Sequence, residues 1–224
     1  MTLTTLLDSP PKIHNWSSGE LTSSGLPTPV FEFMDKILNP ETRSLETGMG
    51  ISTALFALKG TTHTCINPDE QEIVRFREYV NKNHISIENM EFVGKRSDEV
   101  WFDLKENIWD FILIDGCHGF PIPYMDWYFF SQGLKINGHV VIDDTNISTG
   151  KELKAFLSAE DSWKLVAPFS PKTAVFKKVK DFDYNKEFNC QPYILAATKA
   201  INKPNIFMDF ARSVKRRLKK FINR

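Results

Sequence analysis

The stretch Arg43-Ser-Leu-Glu-Thr-Gly-Met-Gly-Ile-Ser-Thr53 decides the fold, because a short β-type run passes through glycines into a helical segment. The run ends at Glu46, Gly48 and Gly50 follow, and residues 54–59 continue the helix. Such a turn is expected to leave backbone N–H groups free at one point, and glycine lets a ligand approach them. The charge of Glu46 disfavours a pyrophosphate and favours a ligand that carries an ammonium group. A glycine-rich turn without a ligand is the alternative.

The pattern Glu-x-Gly-x-Gly-x-Ser-Thr at residues 46–53 resembles motif I of the class I S-adenosylmethionine (SAM)-dependent methyltransferases. It is most similar to the small-molecule O-methyltransferases, including those that act on sugars and macrolides. A dinucleotide-binding fingerprint needs a third glycine where this chain has Thr53, so a nicotinamide-dependent oxidoreductase is the weaker match. The resemblance implies a SAM site formed by Glu46, Gly48, Gly50, Ser52, Thr53, Asn67, Ser97 and Asp115.

Length and composition bound the class of protein. The 224 residues suffice for one large α/β domain, and 28 basic residues balance 28 acidic ones. This balance argues against general affinity for nucleic acids. We expect no membrane span, because no apolar run approaches about 20 residues, and no secretory signal, because residues 1–11 lack a basic start and an apolar run. Three cysteines without metal-like spacing indicate a reducing, cytoplasmic location.

The sequence predicts three regions: an N-terminal arm and helix at 1–39, a SAM-binding domain at 40–180, and a C-terminal extension at 181–224. The arm is rich in Ser, Thr, Pro and Gly, which is typical of loops. Trp16 is isolated in it and is expected to anchor the arm on the domain. A lid over a substrate is the alternative interpretation.

Between residues 40 and 180, β-type and helical segments alternate, which predicts a parallel sheet with right-handed crossovers. The expected strands are 44–46, 63–66, 90–93, 110–115 and 139–143, closed by an antiparallel pair at 163–167 and 173–179. The expected helices are 54–59, 69–83, 97–106, 121–135 and 150–157. The fold class is therefore α/β: a Rossmann-like, seven-stranded, mostly parallel sheet with helices on both faces and a C-terminal antiparallel strand pair. Ligands of such sheets lie beyond the carboxyl ends of the strands.

Acidic residues follow two strands that are neighbours in this topology. Asp115 follows the fourth strand, and Asp143 and Asp144 follow the fifth, about 5 Å away. Three converging carboxylates repel one another unless a cation lies among them, and Mg²⁺ prefers oxygen ligands. The alternative is that Asp115 and Asp143 hold helix or loop N–H groups while Asp144 is solvated.

These strand ends extend the resemblance to the metal-dependent O-methyltransferases. The motifs are Asp-x-Ile-x-Ile-Asp-Gly-x-His at 110–118 and Gly-x-Val-Val-x-Asp-Asp at 138–144. The resemblance implies that Asp115, Asp143 and Asp144 bind Mg²⁺ or a similar cation, which would hold the acceptor and lower the pKa of its hydroxyl. Asp115 is thereby also a candidate catalytic residue.

Three positions depart from the family pattern. Cys117 stands where several relatives carry an acid, so His118 is the candidate general base, with a turn-stabilising hydrogen bond as its alternative role. Asn67 stands where an acid usually grips the ribose hydroxyls, and Asp69 follows two residues later. Arg96 stands at a position where relatives often carry an acid close to the adenine.

The C-terminal segment 205–224 has apolar residues at helical spacing and seven basic residues against one acid, Asp209. We expect a helix docked on its own domain or on a sister subunit of a homo-oligomer. The alternative is contact with an anionic membrane or an acidic partner.

The sequence thus predicts a SAM-dependent O-methyltransferase acting on a hydroxylated small molecule, a sugar or glycan precursor, with divalent-metal assistance. No nucleic-acid partner is expected. The alternatives are a nicotinamide-dependent oxidoreductase and a non-catalytic module of the same fold tethered by its basic tail.

Overall fold

The structure is a computed structural model that describes residues 1–16, 19–167 and 169–201. The chain divides into two compact units, the first spanning Met1–Asn185 and the second beginning at Lys186. No helix within the described part combines the length and apolar character that crossing a membrane requires. The basic segment 205–224 lies outside the described residues, so the prediction of a helix there stays a prediction.

Helices and strands alternate along the first unit. The helices are α1 Leu3–Asp8, α2 Thr28–Ile37, α3 Ile51–Leu58, α4 Glu70–Lys82, α5 Trp101–Leu104, α6 Ile122–Phe130 and α7 Ser148–Ala159. The strands are β1 Arg43–Thr47, β2 Thr62–Ile66, β3 Met90–Val93, β4 Trp109–Ile114, β5 Leu134–Ile142, β6 Trp163–Ala167 and β7 Ala174–Lys178. In the second unit, a short 3₁₀ turn precedes α8 Pro192–Ile201.

The seven strands form one sheet in the order β3-β2-β1-β4-β5-β7-β6. Strands β1 to β5 pair in parallel, and β7 runs antiparallel to both β5 and β6. Thr47 is level with Ile114, and Ile114 is level with Ile142. The predicted fold class is confirmed, and the carboxyl ends of the three central strands meet at one edge.

Two apolar layers cover the sheet, one on each face. In β4, Phe111 and Leu113 pack in the layer that contains Phe31 and Phe56 of α2 and α3. Ile112 and Ile114 belong to the opposite layer, with Phe130 of α6. Successive strand side chains point to opposite faces, so a strand covered on both faces is apolar throughout. This explains the unbroken apolar run of β4.

The N-terminal arm differs most from expectation. Residues predicted to be loop contain α1, whose N-cap Thr2 accepts a hydrogen bond from the Thr5 amide at 3.3 Å. Leu6 and Ile13 are buried and anchor the arm in the core. The anchoring role expected for Trp16 is wrong, because its side chain is 66% exposed.

Two predicted boundaries also move. The helix expected at 121–135 ends at Phe130 and passes through a 3₁₀ turn directly into β5. The expected turn at Asn137-Gly138 lies inside that strand, where Asn137 has a φ of 73°. An irregular register between β4 and β5 accommodates it, so the turn residues mark a distortion of the strand rather than its beginning.

Candidate active site

The glycine turn after β1 is locked against the end of β4. Gly48 has a φ of +84°, and a Cβ there would lie 2.3 Å from the carbonyl oxygen of Asp115. Glycine is therefore required both for the left-handed conformation and for the close approach of the two strand ends. The N–H groups of Gly48, Gly50 and Ile51 donate to Ile66 O, Thr53 Oγ1 and Ser24 O respectively. Contrary to expectation, these three donors are used within the protein.

Glu46 lies beneath the turn in a buried polar network. Its side chain is 1% exposed, and its two oxygens lie 2.8 Å from Ser52 Oγ and 3.2 Å from His63 Nε2. The Nδ1 atom of His63 lies 2.9 Å from Ser44 Oγ, and the ring stacks on Phe56. The network ties β1, β2 and α3 together. The Glu46 carboxylate is thus engaged by neighbouring side chains inside the protein.

A cavity of about 760 Å³ opens at the carboxyl ends of β1, β2 and β4. Its size suits a small-molecule ligand. Of the residues predicted from the sequence, its wall contains Gly48, Asn67, Ser97, Asp115, His118 and Asp144. The wall does not contain Glu46, Gly50, Ser52, Thr53 or Asp143. The structure therefore brings about half of the predicted site together around one cavity.

The acidic cluster forms, but with different members facing one another. Ligand atoms of Asp115, His118 and Asp144 all lie within 4.8 Å of one another, and His118 Nε2 is 3.2 Å from Asp144 Oδ2. Asp143 is buried and instead accepts a hydrogen bond from Thr173 Oγ1. The structure thus groups His118 with two of the three predicted metal ligands and directs the third toward β7.

A lysine that the sequence analysis did not single out lies among these carboxylates. Lys172 Nζ is 3.2 Å from Asp144 Oδ1 and 3.5 Å from Asp143 Oδ2. Burial alone would lower the pKa of Lys172, but Asp143 and Asp144 outweigh it and raise that pKa. Lys172 precedes β7 in a loop with no motif of its own, so no sequence signal identified it.

The charged form of Asp115 is disfavoured by its surroundings. Burial raises its pKa well above the ordinary value, and the charges of Asp143 and Asp144 raise it further. One lysine compensates only part of three carboxylates, so a cation at this point would relieve their repulsion. Carboxylate oxygens suit Mg²⁺ or Mn²⁺, so the carboxylates of this cluster fit the metal that the resemblance implies.

The cavity wall continues onto polar residues that follow β2 and β3. Asn67 follows β2, and Ser97 and Arg96 follow β3. Arg96 is paired in a bidentate contact with Asp98, at 2.9 and 2.8 Å. Behind them, buried Asp126 of α6 accepts a hydrogen bond from Trp101 Nε1 at 2.7 Å. Burial raises the pKa of Asp126 to about 6.

Comparisons with known proteins agree with this geometry. Residues 45–145 match the sequence model of a methyltransferase domain. A comparison with curated proteins found no match.

Solved structures show the same fold at low sequence identity. A Staphylococcus aureus protein assigned as a caffeoyl-CoA O-methyltransferase is 15% identical, with a TM-score of 0.58 over 70% of this chain and 86% of that one. A Streptococcus mutans protein assigned as a methyltransferase and solved with SAH is 13% identical, with a TM-score of 0.55 over 70% and 99%. An rRNA methylase from Streptococcus thermophilus is 12% identical, with a TM-score of 0.53 over 70% and 100%.

The family match covers the glycine turn and both acidic strand ends, and the strand order is the one expected of the methyltransferase fold. Residues 45–145 therefore match a methyltransferase domain, and the fold is that of the class I SAM-dependent methyltransferases.

Proposed function

We propose that this protein transfers the methyl group of SAM to a hydroxyl of a small molecule, a sugar or glycan precursor, with the assistance of a divalent cation. The observation that carries the proposal is the shared wall of one cavity. The Gly48 turn and the group Asp115, His118 and Asp144 line the same space. A methyl donor and a hydroxyl acceptor bound there would lie side by side.

The donor half rests on the turn between β1 and α3. The cavity continues from Gly48 past Asn67 to Ser97, which is the direction in which a nucleoside would extend across the sheet edge. The Streptococcus mutans protein of the same fold was solved with SAH, which supports this part of the proposal.

The acceptor half rests on the acidic cluster. Asp115 and Asp144, with Asp143 beside them, would hold the cation, which when bound would act as a Lewis acid on the acceptor hydroxyl. His118 takes the hydroxyl proton, and Asp144 orients its ring through the 3.2 Å contact at Nε2. The Thr149 hydroxyl fixes the loop by donating to the His118 carbonyl at 2.8 Å. Methyl transfer then depends mainly on holding the oxygen in line with the donor.

The compartment is part of the same proposal. Cys65, Cys117 and Cys190 are free thiols, which supports a reducing cytoplasm.

Calorimetric titration with SAH tests the donor half, and we expect saturable one-site binding. A panel of sugar and glycan-precursor alcohols, assayed for SAH release with Mg²⁺ and with a chelator, tests the acceptor half. Turnover that is insensitive to the chelator would remove the metal from the proposal. Failure to bind SAH would refute the proposal as a whole.

A further inference from the structure

The strand end that usually supplies the ribose-binding acid carries an amide in this chain. Asn67 follows β2 on the cavity wall, and both of its polar groups are engaged. Its Nδ2 donates to Glu72 Oε2 at 2.9 Å, and its Oδ1 accepts from the Asp69 amide at 3.4 Å. The negative charge next to this strand end therefore belongs to Glu72, five residues further along the chain.

Asp69, the other acid close to Asn67, caps helix α4 and does not face the cavity. Its Oδ1 caps α4 by accepting from the amides of Gln71 and Glu72 at 2.8 and 3.2 Å. Asp69 does not line the cavity, whereas Glu72 in the first turn of the same helix does. The positive end of the α4 dipole favours a carboxylate at that position.

The Glu72 carboxylate retains capacity for a ligand. Its side chain is 12% exposed, and each oxygen has one donor, His14 Nδ1 at 2.6 Å or Asn67 Nδ2 at 2.9 Å. A carboxylate can accept about four hydrogen bonds. Two acceptor positions fixed by two protein donors match the two neighbouring hydroxyls of a ribose.

His14 reaches Glu72 from the N-terminal arm, 58 residues away in sequence. Its ring is buried and stacks on Trp16 with centroids 4.8 Å apart, and both residues line the cavity. The Nε2 atom has no hydrogen-bond partner among the residues that the structure describes. Among the described residues, the ring of His14 therefore makes its hydrogen bond with Glu72 and leaves Nε2 without a partner.

The arm that carries His14 is held in place on both sides. The carbonyl of Ile13 accepts from Arg75 Nη1 of α4 at 2.6 Å, and the His14 amide and carbonyl pair with Thr22. The Ser24 carbonyl accepts from the Ile51 amide at the start of α3. The ring is thus positioned before any ligand arrives.

We propose that Glu72 binds the ribose diol of the methyl donor in place of a strand-end acid, and that His14 is a positioning residue that holds the Glu72 carboxylate. This inference rests on the proposed function, since it requires that the cavity bind SAM. It makes the N-terminal arm part of the donor site. Glu72 and His14 lie outside every motif, so the sequence alone did not single them out.

Calorimetry with SAH and with its 2′-deoxy and 3′-deoxy forms tests the role of Glu72. Glu72→Gln should weaken SAH binding about tenfold or more, the effect of losing a charge-assisted hydrogen bond. Glu72→Gln should weaken binding of the deoxy form that lacks the hydroxyl bound by Glu72 by less than about threefold, because that hydrogen bond is already missing. Glu70→Gln is the matched control, since Glu70 lies in the same helical turn but not on the cavity wall.

His14→Phe tests the positioning role, because it keeps a ring beside Trp16 but removes Nδ1. It should weaken SAH binding about five- to tenfold, and that loss should shrink in the Glu72→Gln background. A purely structural tether would lower the melting temperature and weaken SAH and the deoxy forms by the same factor, which would overturn the positioning role.

Hydrogen exchange on the wild-type protein gives a second measurement that needs no variant. The amides of residues 12–16 should gain protection with SAH and not with the deoxy form that Glu72 fails to bind. Equal SAH affinities of Glu72→Gln and Glu70→Gln would overturn the inference while leaving the proposed function intact. A wild-type protein that fails to bind SAH would overturn both.

Discussion

Replacing Gly48 by alanine should damage both the stability of the protein and its donor site. The new Cβ would lie 2.3 Å from Asp115 O, 3.0 Å from Asp115 C and 3.4 Å from Gly116 Cα, all of them backbone atoms. Backbone at the ends of two paired central strands cannot move aside as a flexible side chain can. Relief requires β1 and β4 to separate where they form the cavity wall.

The expected loss in the free energy of unfolding has two parts. Alanine in a left-handed conformation costs about 1–2 kcal/mol, and forcing an extra methyl group into a packed position costs roughly 1–3 kcal/mol more. The free energy of unfolding should therefore fall by about 2–5 kcal/mol. For a chain of this size, about 2–4 °C accompanies each kcal/mol, so the melting temperature should fall by roughly 4–20 °C.

Gly60→Ala is the matched control. Gly60 also has a left-handed φ, +65°, but its Cβ would meet only Pro40, at 3.7 Å. Only the conformational part applies, so the melting temperature should fall by roughly 2–8 °C. Because Asp115 moves only in Gly48→Ala, SAH affinity should fall about tenfold or more in that variant and stay unchanged in Gly60→Ala.

Thermal unfolding and SAH calorimetry on Gly48→Ala and Gly60→Ala test these two expectations. Equal losses of stability would show that the contact with Asp115 does not constrain the turn. Wild-type SAH affinity in a folded Gly48→Ala protein would refute the placement of the donor over this turn.

Three further predictions follow from buried or cavity-lining side chains. The pKa of Asp126 is raised by burial from 3.8 to about 6, so the folded state binds this proton more tightly, and stability should fall as the pH rises from about 4 to above 6. Asp126→Asn should remove about 2 kcal/mol of that pH dependence in urea unfolding at pH 4.5 and 7.5, and an unchanged dependence would contradict the assignment. His63→Ala should lower the free energy of unfolding by about 3–5 kcal/mol, because it leaves the Glu46 carboxylate buried without one of its partners, and a loss below about 1 kcal/mol would count against the network. His118→Gln should lower kcat about 100-fold with an unchanged Kd for SAH, and wild-type turnover would exclude His118 as the base.

Several features of the fold could be predicted from local sequence. The apolar run of β4 indicated a strand covered on both faces, and alternate residues do pack in opposite layers. The two glycines between β1 and α3 indicated a tight turn, which the positive φ of Gly48 confirms. Helix α1 escaped prediction, because six residues are too few for a clear helical period.

The candidate site could be predicted only in part. Asp115 and Asp144 could be placed at one edge of the sheet, because residues that follow neighbouring parallel strands meet there. It could not determine where each carboxylate points: one oxygen of Asp143 accepts from Thr173, and the other lies 3.5 Å from Lys172 Nζ.

The sequence by itself determined the succession of strands along the chain, the glycine turn and the acidic strand ends, because each depends on periodicity or residue type within a few positions. Only the tertiary structure decided that Lys172 enters the acidic cluster and that His14 meets Glu72 across 58 residues. Such pairs form where the arm and a loop pack on the sheet, and no local pattern records which distant side chain fills that space.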